Sequence, residues 1–497
     1  MTAIVSPLKR GAVAAVVLLL TGCAGIQGYD SQVSGTVSSM ATGSIDQALA
    51  DLERNNSGAD KDLLYYLEKG ELLRMKGSYA ESRDSWLAAD KKVQAWEEAV
   101  KTDPSKLLGD IGSFLLNDTT RRYDGRDYEK VFLNVRLALD HLAVGDWDLA
   151  RTEIKKMHER QAIIAEFRGK EVDEAKRQAE SKGVKTTSFK ELNGYPIETL
   201  EDPSVRSLKN AYESAFGNYL AGFVYEALGE PSLAAAGYRK AAEMRPDVKL
   251  LEDSLAGLDA RARTRRSKDM VDVLFVIESS MAPSIQSQTL PIILPIPTKN
   301  GISTVATPIS WPVIRPLDAS VVPSSLGVDD KALPTALLTN VDHMARRALS
   351  DEMPSIIARS TIRAIAKGAA QKAVQDNTSQ MGMFGALLSV ATTVVAVVSE
   401  KADERSWRTL PAFYAVARTT LPAGAHKVVI YTPSGPQTRQ VQLSGPYALV
   451  SLRTSGGSLY LAQTPYVAPV VKTVAPVPKL PAAQVHKVSG AGADQAR

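Results

Sequence analysis

Cysteine is almost missing from this sequence: Cys23 is the only one in 497 residues. A disulfide framework and a thiolate metal site both need several, so neither is expected. Histidine is nearly as scarce, and the five present (His141, His158, His343, His426 and His486) have no metal-ligand spacing. An excess of one charge is also lacking, with 59 Lys and Arg against 55 Asp and Glu. That balance gives no electrostatic footprint for nucleic acid. The sequence has no His-Glu-x-x-His pair, no phosphate-cradling Walker loop, no Gly-x-Gly-x-x-Gly turn after a strand and no Gly-x-Ser-x-Gly elbow. Carboxylate pairs such as Glu97-Glu98 and Asp329-Asp330 sit in polar surroundings, where acid–base tuning needs a pocket. No enzyme, no cofactor and no metal are therefore expected.

What is present begins with Lys9 and Arg10 followed by an uncharged apolar run, Gly11 to Leu20. Ten residues are too few to cross a bilayer, which takes about 20, but they suit the core of a secretory signal. Leu20-Thr21-Gly22-Cys23 resembles the lipobox of bacterial lipoproteins. That resemblance implies removal of residues 1–22 and acylation of Cys23, whose two or three chains anchor stably where one is marginal. Ala24 follows the cysteine, which in proteobacterial lipoproteins implies sorting to the outer membrane, at its periplasmic face. Residues 23–43, rich in Gly, Ser, Thr and Gln, read as a flexible tether.

From 44 to 266 the periodicity is helical, and three segments share a spacing. They are Tyr66, Gly70, Gly77, Ser82 and Trp86; Ala138, His141, Gly145, Ala150 and Ile154; and Gly222, Tyr225, Gly229, Ala234 and Tyr238. Each resembles a tetratricopeptide (TPR) repeat, with a small residue seven before the turn glycine and another five after it. Gly77 to Gly145 is twice the 34-residue period, whereas Gly145 to Gly229 is 84, so the array is interrupted. Between the first two copies lies an aromatic and charged loop, Leu115 to Glu129, with Tyr123 and Tyr128 as candidate partner contacts. Arg151 to Lys185 reads as an exposed charged helix. Arg261, Arg263, Arg265, Arg266 and Lys268 mark a boundary.

The expected second domain, 269–463, opens with a strand at Val271 to Ile277. Next comes a Pro-rich hairpin in which Asn300-Gly301 supplies the turn signal. Pro291, Pro295, Pro297, Pro308 and Pro312 cannot donate to a ladder, so the hairpin is expected at an edge or as a protruding arm. Ile293, Leu294 and Trp311 on that arm are candidate partner contacts. Met344 to Asp376 reads as an amphipathic helix broken or begun near Pro354. Asn377 to Ser399 is long enough to span a membrane, but its Thr, Ser, Gln and Asn favour a buried helix. Arg405 and Trp407 follow as further contact candidates. Lys427–Tyr431, Gln437–Leu443, Tyr447–Arg453 and Ser458–Gln463 predict a small antiparallel sheet, and 464–497 a disordered Pro/Ala/Val-rich tail.

The predicted fold class is α+β, a TPR-like α-helical solenoid followed by a mixed α/β domain. The order of parts resembles a group of bacterial outer-membrane lipoproteins with TPR-like N-terminal halves, and in layout the lipoprotein activators of penicillin-binding proteins. The resemblance implies architecture and not mechanism. The functional expectation is a lipid-anchored scaffold with a protein partner in envelope assembly or secretion. The alternative is contact with glycan or peptidoglycan through Trp407, Tyr431, Tyr447 and Tyr460.

Overall fold

Four glycines in the left-handed region organise the N-terminal half: Gly43 (φ 84°), Gly77 (85°), Gly145 (82°) and Gly229 (75°). The computed structural model describes residues 28–102, 122–181, 194–263, 269–298, 301–378, 401–432 and 434–466. Each glycine joins two antiparallel helices: α1 (Tyr29–Ala41) with α2 (Ile45–Asn55), α3 (Leu63–Lys76) with α4 (Tyr79–Thr102), α5 (Asp127–Ala143) with α6 (Trp147–Ser181), and, after the short α7 (Glu198–Glu201) and α8 (Pro203–Arg206), α9 (Ala215–Ala227) with α10 (Pro231–Met244). All four ends close alike. The residue after the glycine donates to the carbonyl five positions back, Ser44 to Ser39 (2.8 Å), Ser78 to Leu73 (2.9 Å), Asp146 to His141 (2.8 Å) and Glu230 to Tyr225 (2.8 Å). These are Schellman closures, which need a left-handed residue at the position glycine fills.

The first hairpin departs from expectation. The stretch read as a tether is helical from Tyr29, because Val33, Thr36 and Met40 fall on one buried helical stripe that the Gly/Ser/Thr composition hides. Its Gly43 precedes Gly77 by 34 positions. The positions seven before, five after and nine after each glycine are buried in all four hairpins: Thr36, Ala48, Leu52; Gly70, Ser82, Trp86; Ala138, Ala150, Ile154; and, in the last, Ala234 and Tyr238 with Gly222. Close approach requires the small residues. A Cβ on Gly70 would lie 2.2 Å from the Trp86 ring, and one on Gly222 2.5 Å from the Tyr238 ring.

Helices α11 (Lys249–Ala256) and α12 (Leu258–Arg263) lead toward β1 (Met270–Ser279). β1 is the centre of a five-stranded sheet ordered β11 (Ser458–Gln463), β10 (Tyr447–Ser455), β1, β7 (Phe413–Pro422), β6 (Ala336–Asn340). It pairs parallel with β10 and antiparallel with β7. The four C-terminal strands predicted to form one antiparallel sheet are thus divided. β8 (Gly424–Thr432) and β9 (Gly435–Leu443) join β4 (Ser325–Val328) and β5 (Lys331–Pro334) in a second sheet.

β1 is buried along both faces. Val271, Val273, Phe275 and Ile277 pack against Leu326, Val328, Val428, Ile430 and Val441 of the second sheet. Leu274 and Val276 belong to the core formed with the helices. There Tyr414 of β7 is stacked between Phe132 of α5 (ring centroids 5.0 Å) and Phe216 of α9 (4.7 Å). The described residues form one compact α+β unit.

β2 (Ile285–Thr298) and β3 (Gly301–Ile314) make a separate two-stranded ribbon. Its root is core: Ile285, Ile309, Trp311, Val313 and Ile314 are all buried. Thr298 pairs with Gly301, so the connecting residues are Lys299 and Asn300, one position before the expected Asn-Gly, and they lie outside the described residues. Helix α13 (Val341–Thr378) runs through Pro354 instead of breaking there. Among the described residues no helix is long and apolar enough to cross a membrane. Cys23, residues 379–400 and the tail beyond 466 lie outside the described residues.

Candidate functional site

The segment 401–409, which enters β7, threads between α3 and α5 and is held there by two buried glutamates. Glu68 of α3 accepts from the backbone N–H of Arg408 (2.7 Å) and Thr409 (2.9 Å) and from the Tyr29 hydroxyl (3.1 Å). Glu129, three residues inside α5, accepts from the N–H of Trp407 (2.7 Å) and of Arg126 (3.0 Å) and from the Tyr123 hydroxyl. Burial pushes the Glu68 carboxyl up to about 7, against the opposing pull of its donors. Burial raises Glu129 as well. The two carboxylates complete the backbone hydrogen bonding of a segment that belongs to no helix or sheet.

This clasp places Asp403 and Arg405 at the mouth of a cleft of about 150 Å3, facing Tyr123, Arg126 and α6. Arg405 makes a two-pronged bond to Asp403 (both 2.8 Å), and its guanidinium lies 5.1 Å from the Tyr123 ring centre. Burial would raise the Asp403 carboxyl, but Arg405 outweighs it and holds the group below its usual range. Arg126 donates to Glu352 of α13 (2.9 Å) and to the Asp403 carbonyl (3.2 Å). Arg168 of α6 bridges the same Glu352 (3.0 Å) to Asp127 and Glu171. On the inner wall the Lys130 ammonium sits 3.7 Å over the Trp96 ring, whose edge meets Phe167 at 5.4 Å. Burial lowers the pKa of Lys130.

Six cationic side chains line the cleft (Arg122, Arg126, Lys130, Arg168, Arg359 and Arg405), against four carboxylates (Asp124, Glu171, Glu352 and Asp403). The Nε atoms of Arg126 and Arg359 are buried and have no hydrogen-bond partner among the described residues. Such a wall can hold an anion. Among the described residues no cluster of His, Cys, Asp or Glu has the geometry for a metal ion.

Of the contacts proposed from sequence, the structure brings Tyr123 and Arg405 together in this cleft. Tyr128, Trp311 and Trp407 are interior, at 1%, 0% and 0% exposure, and offer no surface to a partner. Trp407 is held edge-on to Trp86 (6.2 Å), and its ring N–H donates to Thr409 (3.1 Å). Burial of large aromatic area in the core decides their place. Ile293 and Leu294 are on β2, with side chains outside the described residues. The four aromatics considered for glycan stacking do not share a face: Tyr431 on β8 is 61% exposed, Tyr447 and Tyr460 are half-buried on the other sheet, and Trp407 is core. Sequence reasoning missed Arg168, Glu352 and Arg359, which look like solvated helix charges until the helices meet.

No protein-family model matches the chain. No curated protein matches it. Among solved structures, a tetratricopeptide repeat protein from Parabacteroides merdae matches with 15% identity over 46% of this chain and 98% of its own, at a TM-score of 0.13.

Proposed function

We propose that this chain is a non-enzymatic protein-binding scaffold, held at the periplasmic face of the outer membrane by an acylated Cys23 and serving envelope assembly or secretion. Its N-terminal hairpins are read as a TPR-like array. Support for that comes from four identical Schellman closures, a 34-residue step from Gly43 to Gly77 and the repeated small positions at the helix contact. The partner engages the face on which the charged cleft opens. The observation that carries this reading is the cleft itself, assembled from the end of the charged loop, α6, α13 and the clasped segment, with unfilled donors in its wall.

A photoreactive residue in place of Arg122, whose side chain is 63% exposed at the cleft, tests the reading in membranes against the same residue at Leu233, 43% exposed on α10. A discrete protein adduct from position 122 and none from 233 is the expected result. No adduct from 122, or recovery of cell-wall fragments instead of protein, would overturn it. In the same membranes Cys23→Ser should move the protein to the soluble fraction. Retention after a salt wash removes the lipid anchor from the proposal.

A further inference from the structure

We infer that the cleft is a receptor site for a single carboxylate carried on an apolar body, seated between Arg126 and Arg359 with the body against Tyr123. The inference rests on the scaffold reading and names the chemistry its partner presents.

The lining's own acids are already engaged. Glu352 bridges Arg126 and Arg168, Glu171 is taken by Arg168, Asp403 by Arg405, and Asp124 by Arg122 at 3.4 Å. Lys130 is neutralised by Asp127 beneath the surface. Among the described residues this leaves Arg359 as a lining cation without a carboxylate. Its Nε is buried without an acceptor among those residues, as is that of Arg126. Arg359 lines the cleft, so an anion entering it meets a guanidinium charge that no carboxylate of the lining offsets.

The form of that anion follows from the donors. A guanidinium presents a planar fork that matches the two oxygens of a carboxylate. The four resident carboxylates limit how much added charge the cleft accepts. One negative charge is balanced by the cationic excess, while a phosphate dianion would face Glu352 and Asp403 at close range. Trp96, Tyr123, Phe167, Pro312 and Ile356 also line the cleft and suit an apolar stem better than a fully hydrated anion. The carboxylate can come from an acidic side chain of a protein or from a free small acid, and the experiment separates these sources.

The full acylated chain in detergent micelles is titrated with four probes, read by calorimetry: a capped pentapeptide with one Glu flanked by Leu, its Gln counterpart, 3-phenylpropionate and inorganic phosphate. Saturable binding of the Glu peptide without binding of the Gln peptide is expected. Arg359→Gln should weaken it by about tenfold, the scale of one charge-assisted bidentate contact, with the thermal midpoint unchanged. A 3-phenylpropionate affinity equal to the peptide's assigns the site to small acids; a much weaker one assigns it to protein side chains. Either supports the carboxylate chemistry. Phosphate binding tighter than both carboxylates, equal binding of the Gln peptide, or an Arg359→Gln variant that binds as well as the parent overturns it. Because adduct formation at position 122 is measured without these probes, a partner captured there with no carboxylate bound would sink this inference and leave the scaffold reading standing.

Discussion

Glu68 joins local electrostatics to the placement of the cleft, since its two oxygens hold the backbone that carries Asp403 and Arg405. Its carboxyl is raised to about 7 in the fold by burial, whereas an exposed glutamate titrates near about 4.3. The folded state therefore prefers the protonated form. The associated stability is complete below the unfolded value and is lost as pH rises through about 7. A shift of this size corresponds to roughly 3 kcal/mol across that window. His343 works in the opposite direction: burial lowers it to about 4, so its contribution is lost as pH falls below the ordinary histidine range. A comparison of variants thus isolates Glu68 better than either curve alone. Glu68→Gln should cost about 1–3 kcal/mol at pH 5 through a disturbed backbone acceptor, and its stability should then stay flatter than the parent's up to pH 8. Denaturant midpoints measured at each pH check this. Parallel curves for parent and variant would show that Glu68 does not titrate in the window.

At the scale of elements, the ribbon β2–β3 explains its own prolines. The register pairs Pro291 with Pro308, Pro295 with Thr304, Pro297 with Ile302 and Ser287 with Pro312. All four pairs fall in the same alternate set. In an antiparallel ladder one set exchanges both N–H···O bonds and the other points its backbone outward. Proline cannot make the exchange, so the proline set is the outward one, and the inner ladder from Gln286–Val313 to Thr298–Gly301 is untouched. Along the arm, where no further strand pairs with the ribbon, Pro291, Pro295 and Pro297 instead each remove an N–H from the outer edge of β2, which is where a second strand would add. Changing Pro291, Pro295 and Pro297 together to Ala restores three donors along one edge. Sedimentation should then show concentration-dependent self-association, with folding stability changed by less than about 1 kcal/mol. A variant that stays as monodisperse as the parent would contradict the edge-blocking role. Features of this local kind were legible in the sequence. The turn glycines Gly77, Gly145 and Gly229, the small positions at their helix contacts and the proline arm all act within a few residues, whereas the Gly43 turn was hidden by a tether-like composition. What was not legible depends on distant partners: β10 pairs with β1 more than 160 positions upstream, and Arg168 differs from a solvated helix charge only because α13 brings Glu352 to it.

For the whole molecule the question is whether helices and sheet are two bodies, as the basic run at 261–268 suggested, or one. The side of β1 that faces the helices is not purely apolar, since it carries Glu278 beside Leu274 and Val276. Arg136 of α5 reaches across to Glu278 (2.7 Å) and also holds Glu71 of α3 (2.8 Å), and Ser451 of β10 donates to the same Glu278 (3.1 Å). All three charged groups are fully enclosed. Burial favours neutral Glu278, but the Arg136 charge outweighs it and holds the carboxyl below its usual range. Such a triad adds little net stability over an apolar packing, yet removing one member strands the others. Arg136→Met should therefore lose about 3–5 kcal/mol, and adding Glu71→Gln and Glu278→Gln should return part of it. Because Arg136 ties α3, α5 and the central strand together, the loss should fall on one transition. Helical ellipticity and tryptophan fluorescence should shift to the same lower denaturant midpoint. If instead the ellipticity divides into two steps, and Arg136→Met moves only one of them, the sheet keeps its structure without the helices. The shared core through Tyr414, Phe132 and Phe216 would then be a docking interface between two separately stable bodies.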